Sequence, residues 1–66
     1  MTPSQLHHLI GTHWRNKRSR NVFEVTDLFK RHHFVIVKLA GENKRGKSIK
    51  TEAHTDHFFT HYEKVL

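Results

Sequence analysis

The stretch Phe34-Val35-Ile36-Val37-Lys38-Leu39 decides the fold of this 66-residue chain. Three consecutive β-branched residues beside a phenylalanine favour an extended backbone, and the run is far too short to span a membrane. Alternation places Phe34 and Ile36 on one side and Val35, Val37 and Leu39 on the other. Both faces therefore carry apolar side chains, and the strand is expected to be covered on both. Such a strand needs neighbours, which the flanking sequence must supply.

Upstream, Val22 to Thr26 is β-branched and aromatic, with Phe23 and Val25 on one face. A brief first strand is expected around Thr12 to Arg15, anchored by Trp14. Asp27 to His33 is expected to turn the chain, with Leu28 and Phe29 tucked beneath the sheet. Downstream, residues 40–46 (AGENKRG) have turn composition, and Lys47 to Ala53 alternates weakly around Ile49 and Thr51 as a fourth strand. Thr55-Asp56 is suited to cap one helical or 3-10 turn holding Phe58 and Phe59. Tyr62 to Val65 then closes as a fifth strand. A continuous helix over residues 56–66 competes with this, since Phe58, Phe59, Tyr62 and Leu66 also share a helical face. At the other end, Thr2 as cap, Pro3 in the first position and Gln5 three residues after the cap predict a helix start. Leu6, Leu9 and Ile10 share its apolar face and Gly11 ends it.

The expected fold is thus mainly β: a small antiparallel barrel of four to five strands. A short N-terminal helix precedes it, and a helical or 3-10 turn comes before the last strand. A chain this short forms one domain, residues 1–11 as the helix and 12–66 as the barrel, and its stability margin is thin. The run from Gly11 and Trp14 to Val25, the strand Val35 to Val37, and the ending with Phe58, Tyr62 and Val65 resemble short SH3-like barrel proteins of bacteria and their phages. What the resemblance implies is the barrel itself and a non-enzymatic role, since the better-known relatives bind nucleic acids or proteins.

Charge is the strongest global signal. Twelve Lys and Arg against six Asp and Glu give +6, with eight histidines besides. Such a balance favours a polyanionic partner, nucleic acid first. In a meander, successive turns alternate between the two ends of the sheet, so the first turn (16–21) and the third (42–47) fall at one end. Lys17, Arg18 and Arg20, with Arg15 beside them, would then meet Lys44, Arg45 and Lys47, opposed only by Glu42. That density suits phosphates, with Asn16, Ser19, Asn21 and Ser48 as neutral hydrogen-bonding groups. Trp14, at the edge of the first basic turn, is the best candidate to stack on a base, and Tyr62 the second. Charged hairpin tips also serve solubility, and a barrel this small needs its Trp inside.

The alternative is a protein-interaction module, a phage- or plasmid-type modifier of a host protein or a homodimer, using an apolar strip of Leu6, Leu9 and Ile10 or of Phe58 and Phe59. His54, His57 and His61 have the spacing of one helical face, with Asp56 or Glu63 near enough in sequence to complete a zinc shell. No flanking motif supports it, and no metal or cofactor is expected. No nucleophile context, glycine-rich phosphate loop or carboxylate pair predicts an enzyme. There is no cysteine, and MTPSQLHHLIG lacks the pattern of a secretory signal. The expectation is a soluble, cytoplasmic protein.

Overall fold

A computed structural model describes residues 3–65 of the chain. Five antiparallel strands form one open sheet: β1 (His13–Asn16), β2 (Val22–Arg31), β3 (Phe34–Glu42), β4 (Ser48–His54) and β5 (Tyr62–Val65). Their spatial order is β4-β3-β2-β1-β5. The first four strands are a meander, and the fifth returns to pair with the first, leaving β4 and β5 as the two edges. Between them in sequence lies a short helix, α1 (Thr55–His61), which packs against β3, β4 and β5 and so spans from one edge to the other. No helix among the described residues is long and apolar enough to cross a membrane.

The middle strand is placed as its alternation predicts. Val35, Val37 and Leu39 face a core formed with Leu6, Leu9, Trp14, Phe23, Val25, Leu28, Ala53, Phe58 and Tyr62. Ile36, on the opposite face, is also fully buried. Its cross-strand neighbours there are Phe29 on β2 and His54 on β4. The Arg31 guanidinium lies 5.0 Å from the Phe29 ring centre, and Phe34 packs on His54 at 4.8 Å. Rings thus flank Ile36 on the outer face, and a guanidinium lies over one of them as a cation over a π face.

Three elements differ from expectation. The segment 27–31 does not turn; it continues β2 to Arg31, and the turn is only His32-His33. A bulge explains why the alternation misled. The register passes from Val25↔Leu39 to Asp27↔Lys38, leaving Thr26 as the extra residue. Without that slip Asp27 would point into the core; with it Leu28 does, and the strand keeps its apolar face. Likewise Ala40, Gly41 and Glu42 belong to β3, and the third turn begins only at Asn43.

The N-terminal helix is 3-10, Pro3–Leu9, not α. With three residues per turn, positions three apart eclipse. Leu6 and Leu9 therefore share one ridge and are buried at 7% and 5% exposure, whereas Ile10 leaves that ridge and is 37% exposed. Gly11, at φ +90°, then swings the chain into β1, and its N–H donates to the Val25 carbonyl at 2.9 Å. The expected Thr2 cap lies outside the described residues.

At the C-terminal end the helix-then-strand reading holds and the continuous helix does not. The cap is His54, extended at φ −63°, ψ 150° and without a side-chain cap bond, so Thr55 and Asp56 lie inside the first turn. Strand β4 runs directly into the helix, and its last residue supplies the extended position. The helix stops at Tyr62 because that residue pairs across to Asn16 in β1.

Two outcomes check this packing by thermal or denaturant unfolding. Leu9→Ala is expected to destabilise by about 2–4 kcal/mol and Ile10→Ala by less than about 1, the reverse of what an α-helical face through Ile10 would give. Gly41→Ala is expected to destabilise by about 1–3 kcal/mol. The added methyl would collide with the Val22 carbonyl and fall 2.9 Å from the Phe23 ring.

Candidate nucleic-acid interface

The two basic turns come together at one end of the sheet. An open cleft of about 320 Å³ separates them, lined by Ser19 and Asn21 from the first tip and by Asn43, Lys44 and Arg45 from the third. The convergence follows from topology: β1–β2 and β3–β4 are both hairpins, with the short His32-His33 turn at the opposite end.

The tips share a sequence device that composition alone conceals. Asn16-Lys17-Arg18-Ser19-Arg20 and Asn43-Lys44-Arg45-Gly46-Lys47 begin alike and are built alike. Asn16 Oδ1 accepts the N–H groups of Arg18 and Ser19, both at 2.9 Å. Asn43 Oδ1 accepts those of Arg45 at 2.9 Å and Lys47 at 3.0 Å. Each asparagine thus satisfies two backbone donors that a tight turn would leave open. Each turn then needs one left-handed residue: Gly46 at φ +76° in one and Arg20 at φ +67° in the other. Between these fixed points Arg18, Ser19, Lys44 and Arg45 are exposed.

The seven expected cations are not equivalent. Arg15 and Arg20 both approach Glu63 Oε1, at 3.6 and 3.9 Å. Glu63 reaches them because β5 pairs with β1 in the register Arg15↔Glu63. It is the acidic neighbour that sequence reasoning missed, having set only Glu42 against the cluster. Lys17 turns to α1: its N–H donates to the His61 carbonyl at 2.9 Å and its Nζ to the Thr60 carbonyl at 3.1 Å. A cation at the last turn of a helix also meets the negative end of the helix dipole. Arg18, Lys44, Arg45 and Lys47 remain, exposed and without an ion pair among the described residues.

Trp14 is a core residue, not a stacking platform. It is 9% exposed, its ring centre lies 4.6 Å from that of Phe58, and its Nε1–H donates to Thr12 Oγ1 at 2.9 Å. Tyr62 is buried as well, stacked on Phe58 at 5.3 Å. The alternative apolar strips are reduced in the same way. Leu6, Leu9 and Phe58 are in the core, and the large apolar residues exposed among the described residues are Ile10 in the turn after the 3-10 helix, Val22 on β2, Phe34 on β3 and Phe59 on α1. The three histidines of the C-terminal segment do not converge. His54 lies on Phe34 while His57 and His61 face each other at 4.3 Å, and no group of three metal-ligating side chains is assembled among the described residues.

Compared with protein-family models, with curated proteins and with solved structures, the chain matches none.

Proposed function

We propose that the chain is a small nucleic-acid-binding module that engages DNA or RNA through phosphates, with weak sequence preference. The observation that carries this reading is the cleft shared by the twin Asn-Lys-Arg tips. Lys44 and Arg45 line it, Lys47 follows on the same tip and Arg18 lies on the other flank of the first tip, none of them ion-paired among the described residues, and Ser19, Asn21 and Asn43 add neutral hydrogen-bonding groups. Guanidinium groups bind phosphate oxygens in pairs and ammonium groups act as point charges, so the set fits a polyphosphate backbone better than a single small anion. Weak sequence preference follows from the burial of Trp14 and Tyr62, which leaves no aromatic ring at the tips to stack on a base. The reading assigns no catalytic step and no cofactor, takes the bent meander as SH3-like, and places the protein in the cytoplasm. A docking module for a host protein is weaker, because the exposed apolar residues among those described belong to three elements and one turn.

Fluorescence anisotropy with a labelled duplex and a labelled single strand tests the reading. If Arg18, Lys44, Arg45 and Lys47 each meet a phosphate, log affinity should fall against log salt with a slope of about −3 to −4. The triple variant Arg18→Ala/Lys44→Ala/Arg45→Ala should bind roughly a hundred-fold more weakly with an unchanged unfolding midpoint. Failure of the wild type to bind either probe at about 50 mM salt would sink the proposal. Lys17→Ala should behave in the opposite sense, lowering the unfolding midpoint by a few degrees while affinity changes less than about three-fold.

A further inference from the structure

The first tip has a second side. Whereas Ser19 and Asn21 face the cleft between the tips, Asn16 and Arg18 face α1, across a separate cleft of about 300 Å³ whose other wall is His57 and His61. These histidines lie one helical turn apart, both exposed, with ring centres 4.3 Å from each other. The wall is fixed in place, since Lys17 ties the tip to the Thr60 and His61 carbonyls.

The charges around this cleft select its ligand. From the tip comes the Arg18 guanidinium. On α1, Asp56 lines a different cleft, with His33, Phe34, Val35 and Thr55. From β5, Glu63 is engaged by Arg15 and Arg20, and Lys64 is a further cation; from β4, His54 packs on Phe34. Among the described residues no carboxylate lines the cleft. A metal cation would meet a fixed positive charge and no anionic ligand, whereas an anion would meet one permanent cation and two imidazoles that become cations on protonation. Two imidazolium rings this close repel each other, and an anion held against both offsets that repulsion.

We propose that Arg18, His57 and His61 form a second phosphate subsite, continuous over the first tip with the cleft between the tips, whose occupancy is coupled to histidine protonation. This rests on the nucleic-acid reading for the source of the phosphate. Because the anion favours the protonated rings, binding takes up protons and affinity rises as pH falls. The tip then works as a ridge with a phosphate position on either flank. The flank toward the third tip carries permanent charge, and the flank toward α1 carries charge set by pH.

The test compares a labelled duplex at about pH 8 and about pH 5.5 at constant ionic strength, for three proteins. One is wild type, one is His57→Gln/His61→Gln, and one is His32→Gln/His33→Gln, altered at the opposite end of the sheet. Wild type and the His32/His33 variant should gain affinity equally on acidification. The His57/His61 variant should gain roughly ten-fold less, read as the ratio of its own affinities at the two pH values. Equal gains in all three would overturn the subsite and leave the nucleic-acid reading standing. Inorganic phosphate supplies the independent arm. Followed by carbon–proton correlation NMR, it should shift the ring signals of His57 and His61 saturably, and more so at low pH, while those of His32 and His33 stay still. A wild type that binds no duplex at either pH but shows this phosphate response removes nucleic acid as the source and keeps the subsite. Phosphate that moves all histidines alike, or none, refutes it.

Discussion

The position of Phe58 governs the rest of the structure. Its ring is wholly buried between Trp14 of β1 and Tyr62 of β5, and it is the buried residue of a seven-residue helix. A helix that short has no stability of its own in water and exists because one side chain is driven into the core. Burial of Phe58 holds α1 against the sheet, and that determines where the chain re-enters it. From there Tyr62 pairs with Asn16, Glu63 comes opposite Arg15, and the C-terminal end of α1 is held beside the first tip. The electrostatics of the basic end therefore depend on an aromatic contact in the core. In a 66-residue domain, where total stability is only a few kcal/mol, the two cannot be varied independently.

Much of this arrangement was legible in the sequence, and the reasons for the remainder are physical. The central strand was readable because Val35-Ile36-Val37 leaves little choice of backbone. The meeting of the basic tips was readable because turn parity in a meander is a matter of counting. The strand within Asp27 to Arg31 was not, because a bulge at Thr26 shifts the phase of the alternation and a bulge has no side-chain signature. Ile10 misled because an α period was applied to a 3-10 segment, where one residue of phase separates the core from solvent. Glu63 was beyond reach for a different reason: it is far from Arg15 in sequence, and only the return of β5 to β1 makes them neighbours. The twin Asn-Lys-Arg starts were visible as letters. Their meaning emerged once both asparagines proved to accept backbone donors of their own turns.

The two faces of the sheet divide the work. The inner face carries the core. The outer face carries Ile36 between Phe29 and His54, with the Arg31 guanidinium and the Lys38 ammonium over the Phe29 ring and Arg31 held by Glu52 at 2.8 Å. That small cluster covers Ile36 but leaves Phe34, packed on His54 beside it, exposed. What remains exposed and chemically distinctive is the end where the tips meet.

The tips also show where charge can be concentrated at least cost. Like charges gathered over a sheet face would strain its pairing, whereas at hairpin ends they are solvated and screened. Their backbones must still be held, and the two asparagines do this without adding charge. Within the tips the expensive choice is Arg20, a residue with a Cβ in a left-handed position that the twin tip gives to Gly46. A side chain there costs about 1 kcal/mol that glycine would not. Its guanidinium returns no strong contact, since the pair with Glu63 is long and exposed. The first tip thus holds a side chain in a backbone position that its twin gives to glycine, and the only return among the described residues is a long, exposed ion pair.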